Sequence, residues 1–244
     1  MIIIRIIANA IIMALELAAI AGVAWLGLTQ PLLFAVGTAL LALTLGASLE
    51  IARLKNEIPF YFDRPPGRFA LFTAAVGSLE AFVKALLAGV AALLTFLGTD
   101  LERLTSIAII FAVVLFLGTN MVRWLTNRFQ ARPMRWGYFR LAAPLGLMFS
   151  LGLTFLPAPG LTELAKRATF DLPARPSLEQ GSEFLFLLKQ SFDEIVVKLL
   201  SLVVDPAWAQ PLSALVSVNM LTGFVLALYA VVIADIVRRM EERV

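Results

Sequence analysis

Apolar runs long enough to cross a bilayer recur along this chain from one end to the other, and they constrain its fold more than any motif does. A helix rises about 1.5 Å per residue, so a run of about 20 residues crosses a hydrocarbon layer roughly 30 Å thick. It does so with its backbone N–H and C=O groups paired internally, which lipid demands. Composition agrees: 60% of the 244 residues are hydrophobic and 15% are charged, against about 25% charged in soluble domains. The expected fold class is all-α, a polytopic membrane protein. Six transmembrane helices are expected, over 2–27, 32–49, 69–98, 104–126, 140–157 and 212–236. The third is long enough to tilt, and the fifth is short and carries Pro144, a kink position. Ala19-Ile20-Ala21 resembles a signal-peptide cleavage site. The lone Arg5 and an apolar run that continues to Leu28 favour an uncleaved first span instead.

A seventh segment, 183–204, is apolar but contains Glu183, Lys189, Asp193, Glu194 and Lys198. Each internal charge costs roughly 2.5–3.5 kcal/mol near the centre of a membrane helix. Lys189–Asp193 and Glu194–Lys198 have the i,i+4 spacing that places them on one helical face. An amphipathic or re-entrant helix between spans five and six is therefore expected. Arg and Lys concentrate in the loops 50–68 and 123–140 and in the tail, so both termini are expected on the cytoplasmic side of a cell membrane. Two segments follow: a four-helix domain over 1–139 and a two-helix module over 140–244. The basic cluster Arg123, Arg128, Arg132, Arg135 and Arg140 is interleaved with aromatics, which reads as an anchor at the lipid interface.

The chain has no cysteine and no histidine. That removes disulfides, thiol chemistry, haem axial histidines and the commonest general base. No catalytic motif is found, so neither an enzyme nor a cofactor is expected, and the partner expected is the bilayer, with no nucleic acid. Span four carries Arg123 only near its end, unlike a voltage sensor, which repeats Arg or Lys along one span. Intramembrane charges are Glu16, Glu80 and Lys84. A Glu16–Lys84 pair between helices and a Glu80–Lys84 pair within one are both expected from their depth and spacing. Gly22, Gly27, Gly37, Gly77 and Gly89 suit close helix packing.

The stretch "SLVVDPAWAQPLSALVSVNMLTGF" (201–224) closes the seventh segment and opens the last span. Asp205 stands six residues before Pro211-Leu212, and Gly223 lies in the following span. Over 140–238 this arrangement resembles the pore module of the tetrameric cation-channel superfamily, whose potassium channels include members with a T-x-G-Y-G-D filter. The resemblance implies a homotetramer, filter positions at Ser201, Val204 and Asp205, a hinge at Gly223, and a lining that includes Asn219 and Thr222. The sequence departs from the pattern: Ser201-Leu202-Val203-Val204-Asp205 has neither filter glycine, and β-branched valine does not take up the filter backbone cheaply. Three functions stay open. They are a divergent channel, a non-catalytic subunit or scaffold of a larger membrane complex, and a small secondary transporter using Glu16, Glu80 and Lys84.

Overall fold

Proline at a first helical position loses no backbone hydrogen bond and is already at helical φ, and Pro31 uses this to start a helix one residue after another ends. The Gln30 N–H donates to the Leu26 carbonyl (2.9 Å), and its own carbonyl accepts from the Phe34 N–H (2.9 Å), so this one-residue joint hydrogen-bonds to both helices. The computed structural model describes residues 2–61, 69–98, 101–130, 139–156 and 192–243. Its long helices are α1 (Ile2–Thr29), α2 (Pro31–Tyr61), α3 (Phe69–Thr95) and α4 (Leu101–Phe129). Then come α5 (Phe139–Thr154), α6 (192–201), α7 (Pro206–Ser213), a 3-10 turn (Val218–Leu221) and α8 (Thr222–Glu241). No strand occurs among the described residues.

Five helices are long and apolar enough to cross a membrane, within α1, α2, α3, α4 and the Val218–Glu241 segment; Arg140–Thr154 is a shorter apolar helix. This is an integral membrane protein with several passes. The 16 residues of α5 extend about 24 Å at helical rise, which is short of a full hydrocarbon thickness. The α2 helix runs to Tyr61, well into the stretch read from sequence as a loop from residue 50.

The last span also differs from expectation. A single helix was expected over 212–236, opened by Pro211. Instead Pro211 lies within α7, the chain breaks at 214–217, and the crossing helix begins at Val218 and continues to Glu241. The break has its own chemistry. Ser217 is extended (φ −62°, ψ 142°), and its hydroxyl accepts from the Asn219 N–H (3.1 Å), capping the 3-10 turn. The expected amphipathic helix is seen as α6 over 192–201; residues 183–191 lie outside the described residues.

Helix α8 holds the middle of the bundle and packs against α1, α3, α4 and α5. Twelve of its 20 residues are buried, from Thr222 to Val237. Apolar flanks of α1 and α2 face outward, including Ile7, Leu15, Trp25, Leu33 and Leu40, the pattern of a lipid-exposed surface. An aromatic cluster fills the core where α2, α3, α4, α5 and α8 meet. Phe34 stacks on Tyr229 (5.6 Å between centroids), meets Phe96 edge-on (5.3 Å), and Phe111 bridges Phe96 to Phe149. Core residues come from both sides of position 139, Ile12 to Val122 and Leu141 to Val237, so the two expected segments share one core.

The glycines divide. Gly27 lies against Phe96, Gly77 against the Ile51 backbone and Gly89 against the Ala35 carbonyl, as expected of packing positions. Gly22 and Gly37 face open space instead.

Candidate functional site

Among the described residues, polar groups interrupt this apolar bundle at the end that carries Thr95 and Thr222 and toward the end that carries Glu241. At the Thr95 end, Asp193 on α6 holds the start of the last span. Its carboxylate accepts from the Ser217 hydroxyl (3.0 Å), the Val218 N–H (3.1 Å) and the Asn219 side-chain amide (3.1 Å). A carboxylate that accepts a backbone N–H at a helix start makes a charge-assisted bond and complements the helix dipole. Directly beneath, the Thr95 and Thr222 hydroxyls hydrogen-bond at 2.7 Å across α3 and α8. Gly223 then meets α5: an added Cβ would overlap the Ala142 carbonyl oxygen and come within 2.7 Å of the Gly146 Cα. Gly146 in turn lies against the Met220 carbonyl. Two glycines thus let two backbones touch.

Asn219, Thr222 and Gly223 are therefore all engaged within one chain, by α6, α3 and α5 respectively. The filter-position residues are elsewhere. Ser201 and Asp205 are exposed and Val204 half-buried, in the turn that ends α6. The Ser201 hydroxyl donates to the Lys198 carbonyl (2.8 Å), and the Asp205 carbonyl accepts the Trp208 N–H (2.8 Å) at the start of α7. Neighbouring Leu202 and Val203 are 81% and 85% exposed.

Between α6 and the ends of α3, α4 and α5 lies a cavity of about 170 Å³. Its apolar wall includes Ile107, Leu153 and Val197, and its polar wall includes Arg103, Asp193, Glu194 and Asn219. Burial raises the Glu194 carboxyl above its ordinary value, against the opposing pull of Lys198 and Arg103. The Asn219 Nδ2 donates to Asp193 and to the Ser217 hydroxyl (2.9 Å), while its Oδ1 is buried without a hydrogen-bond partner.

The intramembrane charges form two separate groups, and the expected Glu16–Lys84 pair is not among the contacts. Glu16, 3% exposed, pairs instead with Arg123 of α4 at 2.9 Å, and Arg123 also contacts Glu241 at the end of α8. Lys84 pairs with Glu80 one turn away (2.6 Å), as its spacing implied, and with Glu50 of α2 (2.7 Å). Arg53 sits beside Glu50 (3.5 Å), Glu57 (2.6 Å) and Glu80 (3.6 Å). The reason for the exchange is lateral: α1 packs on α4, and α3 on α2, so depth alone did not identify the neighbours. Glu50 is 2% exposed and was not singled out from sequence. Its signal was the Glu50, Arg53, Glu57 spacing, which continues the helix of the preceding run.

Of the basic cluster, Arg123 is thus an interhelical partner rather than an anchor at the lipid surface alone. Arg128 is exposed in the last turn of α4, where a cation suits the helix dipole. Arg140 is exposed at the start of α5, and Arg132 and Arg135 lie outside the described residues. Near the Glu241 end, Asp235 is held by Arg238 (3.2 Å) and Arg239 (2.8 Å). No group of three or more potential metal ligands occurs among the described residues.

Comparison with family models, curated proteins and solved structures yields no match to this chain.

Proposed function

We propose that this chain is a non-catalytic membrane subunit, a self-contained helical bundle with no pore along its last helix. The observation that carries this reading is the enclosure of α8. A channel of the six-span type needs one face of its last helix free along its length to line a shared axis, whereas Val225, Ala227, Ala230, Val231 and Ala234 are buried by the chain's own helices and the exposed apolar residue of α8, Ile236, lies near its end. The transporter reading needs Glu16, Glu80 and Lys84 around one path, and they belong to two ion-paired groups. In this proposal both termini face the cytoplasm, and α6 lies along the opposite surface of a cell membrane. Its outward apolar stripe of Phe192, Ile195 and Leu199, continued by Leu202 in the following turn, rests in the interface. The flanks of α1 and α2 meet lipid or a neighbouring subunit.

The test is flux from proteoliposomes holding the purified protein. The expected result is sodium, potassium and proton leakage equal to that of protein-free vesicles. Cation flux that survives Glu16→Gln would overturn the proposal in favour of the channel. Flux lost on Glu16→Gln would overturn it in favour of the transporter.

A further inference from the structure

We infer that α6 is a hinged strap over the cavity at the Thr95 end, latched to the start of the last span through Asp193. Packing alone holds this helix weakly. Along its whole length, 192–201, no residue is buried. A helix so short is marginal in water unless it docks on something. Beneath it lies the cavity of about 170 Å³, walled on this side by Asp193, Glu194 and Val197. A cavity in place of close packing forfeits the dispersion attraction that fixes the other helices to the bundle.

A polar latch supplies the hold. The Asp193 carboxylate accepts from the Ser217 hydroxyl (3.0 Å), the Val218 N–H (3.1 Å) and the Asn219 side-chain amide (3.1 Å). Hydrogen bonds to an ionised acceptor are the stronger class. At its other end α6 runs through the turn 202–205 into α7, and Ala209, Ser213 and Ala214 there are buried. A docked α7, a short turn and a latch at the far end are the parts of a hinge, in which a few residues at an element's end absorb the motion. Opening uncovers Ser150, a buried residue on the α5 wall of the cavity. It also takes the acceptor away from the Val218 N–H, so the strap and the 3-10 turn that begins the last span release together. The strap stands apart from the question of conduction, because it is read without flux.

Two measurements on the full-length protein in nanodiscs test it. In amide hydrogen exchange, segments 192–201 and 217–221 should exchange faster than 225–237. Asp193→Ala should accelerate both of them by about tenfold or more and leave 225–237 unchanged. In thiol labelling, Ser150→Cys is the lone cysteine of the chain, and Asp193→Ala should speed its reaction with a charged, water-soluble reagent by a similar factor. Asp193→Asn keeps one acceptor oxygen and loses the charge, so intermediate rates are expected, and it carries the test if Asp193→Ala does not fold. Failure of both variants to fold, or acceleration that reaches 225–237 equally, would make Asp193 a support of the whole bundle and overturn the strap. Exchange that rises in 192–201 without 217–221, or labelling of Ser150→Cys unchanged by either substitution, would overturn it as well.

Discussion

Arg123→Met is expected to destabilise the bundle by about 3–5 kcal/mol, the range for removing one partner of a buried ion pair. Glu16 is almost fully buried, its Oε2 bonds Arg123, and its Oε1 already has no hydrogen-bond partner. Removing the guanidinium leaves a carboxylate in the bundle with nothing to offset its desolvation. The double variant Glu16→Met/Arg123→Met should recover most of the loss, because replacing both members of a buried pair by apolar residues of similar size is often close to neutral. Lys84→Met should cost less than Arg123→Met, since Arg53 stays within 3.5 Å of Glu50. Denaturant titration in detergent micelles, followed by helical circular dichroism, measures all of them. A cost for Arg123→Met no larger than for Lys84→Met would contradict the assignment of Glu16 to Arg123.

Gly223→Ala should rank with it. One methyl group added there meets the Ala142 carbonyl and the Gly146 backbone, which cannot turn aside as a side chain can. Overpacking a core costs typically about 1–3 kcal/mol, and a backbone obstacle places this substitution at the upper end, near ~3 kcal/mol. Gly37→Ala is the control: nothing lies within 4 Å of its added Cβ, and alanine is the better helix former by roughly 1 kcal/mol. The same denaturant titration should show Gly37→Ala unchanged or stabilised. A Gly223→Ala protein as stable as the parent would mean that α5 and α8 are not in backbone contact.

These two sites mark the boundary between what the residue pattern discloses and what it leaves to packing. The existence of the spans was legible because lipid solvation acts on each helix separately: the runs expected over 2–27, 69–98 and 104–126 correspond to α1, α3 and α4. The Glu80–Lys84 pair was legible for the same reason, being local to one helix. Partners across helices were not. Glu16 and Lys84 share a depth, but whether they meet depends on which helices are neighbours, and no local rule states that α1 lies on α4.

The break before α8 hid in an apolar run, "LSALVSV". Its only local signal was the small polar set Ser213, Ser217 and Asn219, with Asp193 more than twenty residues away supplying the acceptor. Gly223 was singled out from the sequence as a glycine of the last span. Its missing side chain serves close approach to α5, where a hinge at a pore was expected.

Enclosure of α8 by its own chain is the central claim, and the absence of cysteine from the sequence makes it directly measurable. Single substitutions Ala227→Cys, Ala230→Cys, Ala234→Cys and Leu202→Cys, each in the protein in nanodiscs, are exposed to a charged, water-soluble thiol reagent. Leu202→Cys, at a position 81% exposed, should react at the rate of a free thiol. The three α8 positions should react on the order of a hundredfold more slowly or less, because a core helix opens rarely. Fast reaction at any of the three would place that face of α8 against water and contradict the account.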